Sequence, residues 1–124
     1  PCNVDTRPQL TLWAAVMRQT AAGRILGPQE CVNIHEALRI HTMGSAYAAH
    51  EENVKGSIEE GKYADLVVWS DDMYSIPTDT IKNLIAELTI VGGQIVHQSE
   101  NTNVQVVQGS EYLSTSAATS PPNT

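Results

Sequence analysis

Residues 55–70, KGSIEEGKYADLVVWS, constrain the fold more than any other stretch of the chain. Gly56 and Gly61 each suit a positive φ that side chains disfavour. Between them Ile58 can bury while Glu59 and Glu60 face water. Leu66, Val67, Val68 and Trp69 then run nearly continuously apolar, the pattern of a strand covered on both faces. Two tight turns are spent on delivering one short strand.

The flanking sequence supplies helices on one side and a hairpin on the other. Pro8 suits a first helical turn, with Asp5 or Thr6 nearby as a cap. Leu10, Trp13, Ala14 and Met17 make one apolar stripe, which predicts a helix over 8–21 stopped at Gly23, with Trp13 in the core. Gly27-Pro28 breaks the chain. Asn33 and Glu36 have capping-box spacing and predict a helix over 34–43, presenting Ile34, Ala37, Leu38 and His41 on one side. Gly44 kinks or divides it, and SAYAAHEE continues as a second helical piece. Small residues at 44, 45, 46, 48 and 49 permit close packing against a neighbour.

Beyond the strand near 67, TIKNLIAELTIV reads equally as helix or strand, because Ile81, Leu84, Ile85 and Leu88 have helical spacing. Gly92-Gly93 between β-branched runs signals a hairpin with strands near 90 and 95. The tail over 101–124 is rich in Ser, Thr, Asn, Gln and Pro and is expected to be disordered, with VQVV at 104–107 a candidate edge strand.

The 124 residues fit one small domain. Seven basic against 14 acidic residues give a net charge of −7, which argues against nucleic-acid or anionic-membrane partners. No apolar run approaches the ~20 residues of a membrane span. Cys2 and Cys31 form no CxxC or zinc spacing and read as independent thiols in a reducing compartment, here the cytoplasm. The first residue, Pro1, is not Met, so a processed chain or a fragment is expected.

Four histidines, His35, His41, His50 and His97, raise a metal reading, but none form HxH or HExxH. His41, on the apolar side of its helix, reads as a hydrogen-bonded core histidine. Cys31 lacks an activating context for nucleophilic work. The carboxylates at 51, 52, 59 and 60 read as a solvated surface. VGGQ is no phosphate loop, since no helix starts after it. The residues by themselves name no catalytic residue and no metal ligand.

Four segments in order carry a resemblance. KGSIEEGKYADLVVWSDD resembles the KGSIExGKxADLVVLxxD segment near the C-terminus of metal-dependent amidohydrolases. NIHEALRIHTMGSAYAAHEE, LTIVGGQIVHQ and LWAAVMRQTAAGRILGPQE are similar to further segments of that family, the last in its amidohydrolase-3 subgroup, which includes N-substituted formamide deformylase-like enzymes. The likeness covers residues 1 to 98.

The resemblance implies an α/β fragment: the last helices of a (β/α)8 metal-hydrolase barrel plus the C-terminal strands of a small composite β-sandwich. Residues 1–50 would be barrel helices and loops, 51–100 sandwich strands, and 101–124 a polar tail. The implied function is hydrolysis of non-peptide carbon–nitrogen bonds by metal-activated water. The family's metal ligands match no position here, so the divalent metal, zinc by expectation, would belong to the full-length enzyme. Pro1 matches the proline of the family's SDxP motif, just beyond its last ligand. Pro1, Asn3 and Asp5 would then lie in a loop at the substrate mouth. Implied partners are the rest of the amidohydrolase chain and a small amide-like substrate, with self-association if the chain stands alone. The alternative is a non-enzymatic structural or interaction module of the same fold.

Overall fold

In a computed structural model, residues 6–100, 102 and 104 are described. Helix α1 spans Pro8–Met17 and starts as expected on Pro8, although Arg7 takes the cap position and no side chain caps it. The helix ends at Met17, four residues before the predicted limit. Arg18 turns left-handed at φ 50°, and its N–H still reaches Ala14 O. Cross-chain bonding over 18–26 replaces the last predicted helical turn. Leu26 N donates to Arg18 O, Thr20 N donates to Arg24 O, and Gln19 bridges Ile25, so the segment closes as a small hairpin. Arg18 clamps it, donating from Nε to Leu26 O at 3.0 Å and from Nη2 to Glu30 at 2.9 Å.

The buried face of α1 is rotated from the predicted stripe. Gln9, Leu12 and Trp13 are buried, while Ala14 is exposed. Gln9 tolerates burial because its Nε2 donates to Leu84 O at 3.0 Å. Trp13 is core, as its place in the sequence suggested, and Lys82 Nζ stands 4.7 Å from its ring centroid.

The capping box forms as expected. Asn33 Oδ1 accepts from Glu36 N at 2.9 Å, and Glu36 Oε2 accepts from Asn33 N at 3.0 Å. It starts α2, Ile34–Arg39, which is shorter than predicted because Ile40–Gly44 widens into a π-helical turn before α3, Ser45–Ala48. Gly44 therefore divides the helix. The second piece stops well short of Glu52. His50 adopts φ 59°, with its N–H on Tyr47 O and the Glu51 N–H on Ala46 O, a Schellman ending without glycine.

Strands β1 (Leu66–Trp69), β2 (Ala86–Val91) and β3 (Gln94–Gln98) form an antiparallel sheet in sequence order. The three strands lie where the sequence placed them. Gly92 and Gly93, at φ 57° and 80°, make the hairpin turn. Gly92 N donates to Asp65 Oδ1 and Gly93 N to Ala64 O, which ties the turn to the start of β1. The ambiguous stretch resolves into both forms, a 3₁₀ turn over Thr78–Asn83 and then β2.

The core lies between helices and the 3₁₀ turn. Leu12, Trp13, Ala37, Met73, Ile81 and Leu84 form it, with Ile34, Leu38 and Trp69 packed against it. It draws on both halves of the chain. The expectation that β1 is buried on both faces fails: Val67 is 43% and Val68 37% exposed. Ile58 fails likewise at 88% exposed. The α2–α3 arm faces this side of β1 only across an open cleft that Ile58, Val67 and Trp69 help to line, so these side chains stay partly open to water. The candidate edge strand at 104–107 and the tail beyond it fall outside the described residues apart from Val104.

The loop after β1 is held by Asp72. Its carboxylate accepts from Ser75 Oγ and from Tyr74 N, the latter at 2.9 Å. The Ser75 hydroxyl, then the Tyr74 N–H, hold the Asp72 carboxyl below its ordinary value of 3.8. A lowered folded-state pKa contributes stability that is present above 3.8 and lost as pH falls through the folded value. Urea midpoints should therefore drop in strong acid, and Asp72→Asn should remove part of that drop. An unchanged acid limb in the variant would show that the turn does not depend on the charge.

Candidate functional site

An open cleft of about 580 Å³ separates the α2–α3 helical arm from the start of β1. His41, Thr42, Ser45 and Ala46 line one wall, Leu66, Val67 and Trp69 the other, and Glu51, Lys55 and Ile58 the end. The helical wall is close to the chain at Gly56 because Ala46 is small. A Cβ built on Gly56 would meet Ala46 Cβ at 2.8 Å and Met43 Sδ at 3.1 Å. Gly56 sits at φ 96° and Gly61 at φ 89°, the two turns expected from the sequence.

Several polar groups of the cleft already have partners within the chain. Lys55 Nζ lies 2.8 Å from Glu51 Oε2, one helical turn's spacing apart in sequence. The Glu51 hydrogen bond, then its charge, raise the Lys55 pKa above 10.5. Thr42 Oγ1 donates to Leu38 O. His41 Nδ1 lies 2.9 Å from Ala37 O, which only accepts, so Nδ1 carries a proton. Its Nε2 lies 2.8 Å from Thr11 Oγ1, which also approaches Pro8 O at 2.8 Å. His41 is thus bonded at both nitrogens as expected, but it is half-buried on the cleft wall and not in the core. The carboxylates divide: Glu59 and Glu60 are exposed as expected, whereas Glu51 and Glu52 are half-buried.

The remaining histidines are dispersed. His35 Nδ1 is 3.3 Å from Tyr74 Oη, His97 Nε2 is 3.2 Å from Ala86 O, and His50 is an exposed helix cap. Among the described residues no three His, Cys, Asp or Glu side chains gather to hold a metal ion. The donor set therefore does not fit the metal that the resemblance implies. Cys31 is free and exposed. Pro1, Asn3 and Asp5, the substrate-mouth residues, and Cys2 lie outside the described residues. No helix among those described is long and apolar enough to cross a membrane.

Two structural residues carry no signal in the sequence. Gln9 and Arg18 organise the joints at Leu84 and at the 18–26 hairpin. Neither has a local signature, because a glutamine inside a helix and an arginine at its end are ordinary surface choices.

Residues 4–97 match the family model described as the amidohydrolase family. N-substituted formamide deformylase of Arthrobacter pascens is 37% identical over 98 residues, which is 79% of this chain and 18% of that protein. A Bacillus subtilis (strain 168) protein named as an amidohydrolase, YtcJ, is 33% identical over 94 residues, 73% of this chain and again 18% of the relative. Both matches thus span under a fifth of the relative's length. An amidohydrolase structure from Thermotoga maritima MSB8 superposes with a TM-score of 0.47 at 30% identity, over 57% of this chain and 17% of the other.

Proposed function

This chain belongs to the amidohydrolase family, and from that premise we propose that it is the C-terminal part of a hydrolase acting on carbon–nitrogen bonds other than peptide bonds. The match of residues 4–97 to the family, continuous through both glycine turns, carries this reading. In it, α1 to α3 are the last helices of a (β/α)8 barrel, and β1 to β3 are strands of the composite β-sandwich. The proposed partner is the rest of an amidohydrolase chain, which provides the metal ligands and the hydrolytic centre. The share of each relative that is matched, 18%, supports such a division.

Three features support a scaffolding role for this part. Lys55 is paired with Glu51, Asp65 accepts from Gly92 N, and the cleft's histidine is bonded at both nitrogens. The activity then belongs to the whole enzyme, with an N-substituted amide or formamide as the substrate class suggested by the Arthrobacter pascens relative. The loop at Pro1, Asn3 and Asp5 stands at the substrate mouth in this reading.

The coding sequence upstream of Pro1 tests it. An HxH motif, and Ser-Asp separated from Pro1 by one residue, are expected. The protein extended to include them should hydrolyse an N-substituted formamide and lose that activity on chelation. A start codon directly before Pro1, with no such motifs, would overturn the reading in favour of a small non-enzymatic module.

A further inference from the structure

We propose that His41 and Thr11 form a proton-sensitive latch, which ties α1 to the α2–α3 arm while the His41 ring carries a proton on both nitrogens and slackens when it loses one. The inference concerns the fold and does not depend on the proposed activity. The latch is made of short contacts in a row. His41 Nδ1 lies 2.9 Å from Ala37 O, His41 Nε2 lies 2.8 Å from Thr11 Oγ1, and Thr11 Oγ1 lies 2.8 Å from Pro8 O. At such distances each contact needs a hydrogen between its two atoms. The two carbonyl oxygens only accept, so they supply none.

Counting hydrogens separates the two forms of the ring. A neutral imidazole brings one and the Thr11 hydroxyl another, two hydrogens for three contacts. With the ring hydrogen on Nδ1, the hydroxyl must choose between His41 Nε2 and Pro8 O, and the contact it leaves sets lone pair against lone pair. With the ring hydrogen on Nε2, Nδ1 faces Ala37 O bare. An imidazolium closes all three: Nδ1–H donates to Ala37 O, Nε2–H to Thr11 Oγ1, and the Thr11 hydroxyl to Pro8 O. The ring is half-buried, so water still reaches the charged form. Pro8 and Thr11 belong to α1, Ala37 to α2 and His41 to the π-helical turn, so the proton is read out as a tie between elements.

The charges around the ring are engaged elsewhere. Helix α1, Pro8–Met17, holds no charged residue, and Arg7 stands at its cap. Across the cleft, β1 holds none, and Asp65 just before it accepts from Gly92 N at 2.7 Å. Glu51 and Lys55, which line the same cleft, pair at 2.8 Å. On the arm itself, His35 is turned to Tyr74, while Glu36, Arg39 and Glu52 line a second hollow that His41 does not border. The latch therefore depends on the number of hydrogens and not on a facing ion pair. The stability it confers is present while the ring is protonated and is lost as pH rises through the histidine range.

Urea unfolding of the chain between about pH 5.5 and about pH 8 is the test. Thr11→Val keeps the shape of the side chain but takes away both the acceptor for Nε2–H and the donor to Pro8 O. Over that range the folding constant of the unaltered chain should fall ~5–10-fold further than that of Thr11→Val. Thr11→Ser keeps the hydroxyl and should keep the pH dependence, and His41→Gln should lose it. His35, His50 and His97 are present throughout, so their own titrations cancel in the comparison. Should the variants fail to fold, hydrogen exchange on the unaltered chain decides. Corrected for the intrinsic pH dependence of exchange, the α1 amides from Leu12 onward should lose protection as pH rises. Parallel profiles for the unaltered chain and Thr11→Val, loss of the pH dependence in Thr11→Ser, or α1 protection that does not change with pH would each overturn the proposal.

Discussion

Gly56→Ala should destabilise the chain by ~2–5 kcal/mol, while Gly61→Ala should cost only ~1–2 kcal/mol. The two glycines share a backbone problem. Each has a positive φ, at 96° and 89°, where an L side chain is strained. They differ in what a methyl group would meet. At Gly61 nothing lies within 4 Å. At Gly56 the new Cβ would stand 2.8 Å from Ala46 Cβ and 3.2 Å from Met43 Cα, and the second of these is backbone that cannot swing aside. The overpacking term is therefore added at 56 alone. Urea unfolding of both variants measures the difference. Equal losses would show that the helical arm yields freely and that the close approach at Ala46 is not needed for folding.

That pair of turns also shows how far the sequence could be read. Gly56 and Gly61 were legible because glycine is the residue that tolerates positive φ, a local property. So were the Asn33–Glu36 capping box and the Gly92-Gly93 hairpin, each closed within a few residues. The end of α1 was not legible, because Arg18 leaves the helix to clamp a hairpin through Leu26 and Glu30, eight and twelve residues away. Nor was the burial of Gln9, whose partner Leu84 lies 75 residues on. The exposure of Val67, Val68 and Ile58 was misread for a related reason. An apolar run records what a strand is suited to face, and here the α2–α3 arm faces it only across an open cleft. At the cleft, the hydrogen bonding of His41 was legible from its helical face, while the dispersal of the other three histidines depends on loops whose paths no spacing rule gives.

Ile81→Ala should cost ~2–5 kcal/mol, whereas Ile85→Ala should stay within ~0.5 kcal/mol. The sequence offers no reason to separate them, since Ile81, Leu84, Ile85 and Leu88 share one helical spacing. The structure separates them by changing form midway. Residues 78–83 wind as a 3₁₀ turn that drives Ile81 into the core beside Leu12, Trp13 and Met73, leaving it 1% exposed. The chain then extends toward β2, and Leu84 and Leu88 turn inward while Ile85 is left 58% exposed. Truncating Ile81 removes the largest fully buried side chain and opens a cavity where α1 meets the turn. The Gln9–Leu84 hydrogen bond lies three residues along and would loosen with it. Truncating Ile85 removes surface that water already reaches, and its N–H keeps the Ser70 hydroxyl as acceptor at 3.2 Å. Thermal or urea unfolding of the two variants reads the contrast directly. Comparable losses at both positions would mean that TIKNLIAELTIV is helical throughout, and that the turn-then-strand path through the core is wrong.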